Sequence, residues 1–145
     1  GMILPELGDL SPRETVARVI RSHEQRTGTE VEIEMGGLNG EASLPVKITI
    51  YRFIQEALNN AYRHAGGVGQ RVAVRNGDGW LLVEVSDEGP GFDIAHGYVE
   101  EGHLGIEGMR QRVESMGGVF GIDSGTGRGT RVSAELPLDP AEGGA

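Results

Sequence analysis

The 145-residue chain predicts a two-layer α/β sandwich, with a mixed, mostly antiparallel sheet and helices on one face. Two observations carry this. Segments of helical and strand periodicity follow in the order helix, strand, helix, two strands, long glycine-rich loop, helix, two strands. Turn signals join two of the strand pairs, NGDG at 76–79 and GTGRG at 125–129, so hairpins dominate the sheet.

The first helix is announced by SPRE at 11–14. Ser11 caps, Pro12 takes the first helical position and Glu14 closes a capping box. This helix should run to about Arg26 and stop at the Thr-Gly pair. EVEIEM at 30–35 alternates, with Val31, Ile33 and Met35 on one face, and reads as a half-buried strand. GGLNGEAS is a loop. The second helix starts near Pro45 and ends by Gly66, with Tyr51, Ile54, Leu58, Ala61, Tyr62 and Ala65 on one side. Arg52, Glu56, Asn60, Arg63 and His64 fall on the other. RVAVR and WLLVEVSD form a hairpin. Residues 88–104 are glycine-rich without periodicity, and a third helix runs from about Gly105 to Met116, ended by Gly117 and Gly118. VFGIDS and TRVSAELPL make the last hairpin, and DPAEGGA is a frayed tail.

Composition narrows the function classes. The formal charge of −9 argues against a general electrostatic grip on nucleic acid. An anionic ligand has to be held by local cations, backbone amides or a metal. With no cysteine in the chain, disulfides, thiolate metal sites and a cysteine nucleophile are excluded. The longest apolar runs are too short to span a bilayer, and no signal peptide is visible. Glycine makes up 25 of the 145 residues, more than twice its usual share of about 7%. It clusters in loops, as expected where backbone comes close to a ligand, or simply where turns are tight.

Asparagine is a mediocre helix former, yet Asn59 and Asn60 stand together inside the second helix. Glu56, Asn60 and His64 are spaced i, i+4, i+8 and stack along one stripe, with Arg63 beside Asn60. An amide oxygen suits Mg²⁺ alongside phosphate oxygens. Glu56 could hold a metal-bound water or act as base, and Arg63 and His64 could meet phosphate. By itself such a stripe is more often a solvated helix face. Asp87 ends a strand and is followed by Gly89 and Gly91. A carboxylate there can accept a hydrogen bond from an exocyclic amine while the glycines admit a flat base, although an ordinary turn has the same look. Gly102, Gly105 and Gly108 precede or open the third helix, whose free N–H groups favour a phosphate. Thr130, on an inward strand, could bond Asp87 or the base.

In this order and spacing the four elements resemble the gyrase, heat-shock chaperone, histidine kinase and mismatch-repair ATPase superfamily, over roughly residues 13–138. The resemblance implies the Bergerat ATP-binding fold. EALNNAYRHA looks like its N box, DEGPG and GHLGIEGM like its glycine boxes, and GTGRGT like the last motif. It implies Asn60 as Mg²⁺ ligand, Asp87 as reader of the adenine amine, and Glu56 as the candidate for orienting the nucleophile. ATP-binding positions implied are Asn60, Arg63, His64, Asp87, Gly89, Gly91, Gly102, Leu104, Gly105, Gly108, Met109 and Thr130. Residues 92–104 would be a mobile ATP lid.

RFIQEALNNAYRHA with LGIEGMRQRVESMGG is similar to sensor histidine kinases of the nitrate-sensor-like subfamily. That implies transfer of the γ-phosphoryl group of Mg-ATP to a histidine on a separate dimerisation module, and a response regulator with helix-turn-helix output. It also implies a homodimeric full-length protein that is cytoplasmic or membrane-anchored. The dimerisation helices are missing, and none of His23, His64, His96 and His103 sits in a phosphoacceptor context. Arg63 stands where lysine is frequent. A stand-alone anti-sigma serine kinase, an ATP hydrolase of the same superfamily, and a non-catalytic ATP- or partner-binding module are the alternatives. Gly1 before Met2 reads as a cloning remnant, residues 1–12 as that remnant with a linker, 13–138 as the ATPase domain and 139–145 as a flexible tail.

Overall fold

A computed structural model describes residues 6–91 and 104–138. Its elements are α1 (Pro12–Thr27), β1 (Glu32–Glu34), α2 (Leu44–Ala65), β2 (Arg71–Asn76), β3 (Trp80–Asp87), α3 (Leu104–Ser115), β4 (Val119–Ser124) and β5 (Thr130–Pro137). The sheet order is β1-β2-β3-β5-β4. All pairings are antiparallel except β1 with β2, so the sheet is mixed and mostly antiparallel, as its hairpins foretold.

Local chemistry sets the helix ends. Ser11 Oγ accepts from the Glu14 N–H at 3.1 Å, and Glu14 carboxylate accepts from the Ser11 N–H at 2.9 Å, two otherwise orphaned donors satisfied together. Gly28, with φ 74°, closes α1. Ser43 caps α2, whose end at Gly66 has φ 68°; both stops need the left-handed region that glycine enters freely.

One sheet face packs on the helices. Val72 and Val74 of β2, Leu81, Val83 and Val85 of β3, and Val132, Ala134 and Leu136 of β5 are buried there against Ile50, Phe53, Ile54 and Leu58 of α2. Each of these valine, leucine, isoleucine and phenylalanine side chains removed from water stabilises the fold by about 1.5–3 kcal/mol. Arg71, Glu84, Arg131 and Glu135 alternate onto the other face. Phe53 meets Phe120 edge-on at 6.3 Å, tying α2 to β4.

Two expectations change. EVEIEM is not a half-buried strand throughout: only Glu32–Glu34 pair, all three residues are exposed, and Ile33 is 44% exposed. The segment lies at the sheet edge, and Arg13 Nη2 takes the carbonyls of Met35 and Leu38 at 2.8 and 3.1 Å. After Glu34 the regular ladder ends, and the chain turns to meet the end of β2 through Asn76, which bonds Gly37 O and Asn39 instead. In α2, Tyr62 was expected on the apolar side but is 43% exposed, whereas Asn60 is only 9% exposed. A helix touching α1, α3, β3 and β5 has no single solvent face, so one-sided periodicity misplaces residues on its flanks.

Part of the segment read as linker is packed. Leu7 is buried in the core, and the buried Lys47 of α2 donates from Nζ to the carbonyls of Gly8 and Leu10 at 3.1 and 2.8 Å.

Candidate functional site

A cavity of about 220 Å³ opens between α2, α3 and the ends of β3 and β5. Its α2 wall is Ala57, Asn60, Ala61, His64 and Ala65; Ile106 and Met109 of α3 face it, and Val85, Asp87, Thr130 and Val132 form the floor with Pro90 and Gly91 at the rim. Small side chains on α2 and branched ones on the sheet leave a mostly apolar slot with a single carboxyl, Asp87, in its lining. Such a shape suits a planar base.

Asp87 is held in the slot's lining by backbone. The Gly89 N–H donates to Oδ1 at 2.8 Å. Burial pushes its carboxyl above the usual carboxylate range, opposed by the amides of Gly89 and Thr130 and by the nearby His64. The loop after Asp87 depends on missing side chains. A Cβ on Gly89 would collide with the Ala65 methyl, and one on Gly91 with the carbonyls of Gly125 and Gly129. Gly127 N–H also donates to Pro90 O at 2.6 Å, so the GTGRG turn supports the DEGPG loop from below.

The two adjacent asparagines have separate tasks. Asn59 Oδ1 accepts from Arg26 Nη1 of α1 at 3.1 Å, an interhelical bond. Asn60 faces the cavity, where its Oδ1 accepts from Arg63 Nη2 at 2.6 Å and its buried Nδ2 has no partner among the described residues.

Of the residues singled out in the sequence, the structure places Asn60, His64, Asp87, Gly91, Met109 and Thr130 on one cavity. Glu56 does not line it, but its carboxylate lies against the first turn of α3, where a Cβ on Gly105 would strike it. Arg63 reaches the site through Asn60 and Gly89 through Asp87. Around Gly108 an added Cβ would find only Arg112 at 3.5 Å, so sterics there do not require glycine. Leu104 opens α3; Gly102 and the proposed lid up to residue 103 lie outside the described residues. Thr130 touches Asp87 through its backbone, while its hydroxyl pairs with Ser124 Oγ at 2.9 Å.

Several residues were missed. Ile106, Val85 and Val132 line the slot and carry nothing in the sequence that separates them from other apolar residues. Ala57, Ala61 and Ala65, each one position after the polar stripe, were legible at i, i+4, i+8 as a strip of small side chains that leaves room beside it. Ser124, whose hydroxyl donates to Gly129 O at 2.9 Å, had no signal.

The donor set fits Mg-nucleotide. Among the described residues no cluster of three or more His, Asp or Glu could cage a metal. Mg²⁺ commonly takes one or two protein oxygens with phosphates and water, and Asn60 Oδ1, held here by Arg63, is such an oxygen. The glycine-opened start of α3 offers N–H groups to phosphate.

The family model described as histidine kinase-, DNA gyrase B- and HSP90-like ATPase matches residues 46–140, from α2 to the end of the sheet. The chain belongs to this ATPase family. Related proteins are sensor histidine kinases. YhcY of Bacillus subtilis is 39% identical over 97 residues, covering 66% of this chain and 25% of YhcY. MctS of Rhizobium johnstonii is 34% identical over 114 residues, 78% of this chain and 24% of MctS. The ATPase domain thus spans about a quarter of the length of these relatives. Among solved structures, the histidine kinase domain of a blue-light activated kinase of Erythrobacter litoralis superposes with TM-score 0.71 at 24% identity, covering 95% of this chain and 66% of that one. Full-length ShkA in complex with AMPPNP gives 0.74 at 17%, covering 95% and 32%. At these identities the likeness is one of fold. No described helix is long and apolar enough to cross a membrane.

Proposed function

We propose that this ATPase domain delivers the γ-phosphoryl group of Mg-ATP to a histidine on a separate dimerisation module, within a nitrate-sensor-like sensor kinase. One observation carries the reading: Asp87, held by the amides of Gly89 and Thr130, lines one cavity together with Asn60 and with Ile106 and Met109 of α3.

In this reading Asp87 accepts from the adenine amine, and Gly89 and Gly91 let the base approach. Asn60 would hold Mg²⁺, which when bound neutralises phosphate charge and helps to orient the chain of phosphates. Arg63 and His64 stand beside that region, and the Leu104–Gly105 end of α3 offers N–H groups, with Gly108 and Met109 along the same helix. In the transfer, a nitrogen of the acceptor imidazole forms the new N–P bond while the bond from the γ-phosphorus to the β–γ bridging oxygen breaks, and ADP leaves with that oxygen. The proton of the acceptor ring passes to a base, for which Glu56 is the candidate in this chain. His23 is no acceptor in this scheme: it is fully buried, with Nε2 3.0 Å from Gln70 Oε1. The downstream partner would be a response regulator with helix-turn-helix output, and the full-length protein a homodimer.

The test is incubation with γ-labelled Mg-ATP, with and without a fragment bearing the dimerisation helices of a related kinase. Acid-labile, base-stable label on the added fragment, and none with Asn60→Ala, is the expected result. Acid-stable label would overturn the histidine kinase reading in favour of a serine kinase.

A further inference from the structure

In the cavity, the oxygen of Asn60 that could bind a metal is already engaged. Arg63 Nη2 donates to Oδ1 at 2.6 Å, and the buried Nδ2 has no partner among the described residues. A buried amide normally uses both ends. Here the oxygen, the end a hard cation would seek, is held by a side chain of the same charge sign. The start of α3 carries a parallel contact: the Glu56 carboxylate lies against Gly105, where helix N–H groups favour an anion. Two residues of α2 thus sit where the two charged parts of Mg-nucleotide would go, each with the charge of the part it stands in for.

We propose that Arg63 limits how far Mg²⁺ strengthens nucleotide binding at this site: it occupies Asn60 Oδ1 in the nucleotide-free domain and has to yield that oxygen to Mg²⁺. The inference rests on the Mg-nucleotide reading of the cavity. Guanidinium does not deprotonate in a protein, so only a competing cation or a competing anion draws it from Asn60. Metal-complexed nucleotide brings both: Mg²⁺ takes the amide oxygen, and the phosphates offer the guanidinium a new acceptor. Metal-free nucleotide brings only the second. Lysine at this position would hold Asn60 less firmly, because ammonium is a compact, strongly hydrated donor without the planar fork. Arg63 is exposed, so its replacement leaves the core intact.

The quantity to measure is the factor by which saturating MgCl₂ tightens binding of N-methylanthraniloyl-ADP, taken as the ratio of Kd in EDTA to Kd in MgCl₂. By linkage this ratio reports how much better the nucleotide-bound site holds the metal. Arg63→Ala should raise it by about three- to tenfold, the net scale of one hydrogen bond at an exposed side chain, and Arg63→Lys should raise it less. In the Asn60→Ala background the Arg63→Ala effect should vanish. An unchanged or smaller ratio in Arg63→Ala overturns the inference, and so does a rise that persists without Asn60, which would place Arg63 on the phosphates alone. If the parent shows no saturable nucleotide binding with MgCl₂, the site reading falls and this inference with it. Parent binding with an Arg63-independent ratio removes this inference only.

Discussion

The backbone N–H of Gly89 donates to Oδ1 of Asp87 at 2.8 Å, two residues along the same turn. This contact holds the carboxyl in the lining of the slot, although burial disfavours its charge. An ionised Asp87 therefore costs the free domain stability and serves the ligand.

Asp87→Asn separates the two effects. Because burial raises the folded-state pKa above 3.8, the stability associated with protonated Asp87 is present below that value and lost as pH rises through the folded pKa. The amide keeps an acceptor for Gly89. Thermal unfolding should show the variant at least as stable as the parent at pH 7, the difference shrinking as pH falls into the carboxylate range. Affinity for adenosine and ADP should fall by about 1–3 kcal/mol, since the amide presents its own N–H to the base amine. A variant that is less stable at pH 7 and binds ADP normally contradicts both halves.

Gly89→Ala should destabilise the domain by about 1–3 kcal/mol, because the new methyl meets Ala65 with no free space. Ala65→Gly in the same chain removes the obstacle and should recover part of the loss, less the cost of about 1 kcal/mol for glycine in a helix. Urea midpoints of the single and double variants decide it; purely additive effects would refute the contact.

His23 gives the domain a second pH dependence of opposite sense. Burial lowers its pKa below 6.5, against the hydrogen bond to Gln70. Gln70 Nε2 already donates to Thr29 Oγ1 at 2.9 Å, so Oε1 accepts and the histidine Nε2 carries the proton. The unfolded chain binds a further proton first on acidification, so stability is full above pH 6.5 and declines as pH falls toward the folded pKa. His23→Gln keeps a donor near Gln70 and does not titrate. Its difference from the parent in urea midpoint should therefore narrow between about pH 7.5 and 5.5, the range around the ordinary histidine pKa; a constant difference would show that His23 does not titrate on unfolding.

Lys47→Met should release the segment before α1. The methionine fills the apolar path but leaves the carbonyls of Gly8 and Leu10 without their ammonium donor, at about 1–3 kcal/mol. Amide exchange should accelerate at residues 7–11 more than in the sheet. Equal protection in both proteins would mean that Leu7 alone anchors the segment.

Periodicity, caps and turns were enough to place α1, α2, α3 and both hairpins, because each is set by chemistry within a few residues: Ser11 with Glu14, Ser43 with Val46, glycine at the left-handed stops. The candidate polar groups were legible for a related reason. Glu56, Asn60 and His64 share a stripe by helix geometry alone, and Asp87 sits at a strand end next to glycines.

What pairs with what was decided by the tertiary structure. Helix spacing puts Asn60 on the polar stripe, but nothing local gives Asn59 its partner: α1 takes it through Arg26, while the cavity takes Asn60. EVEIEM alternates like a buried strand, but β1 lands at an edge where Arg13, far along the chain, captures Met35 and Leu38. Tyr62 and Asn60 exchanged their expected environments because α2 is packed on several sides. Ile106, Val85 and Val132 became slot-lining residues only when α3 and the sheet met over the alanine strip. Chemistry within one turn of helix or hairpin is written in adjacent residues; burial and partners across the core depend on elements distant in sequence, and packing alone assigns them.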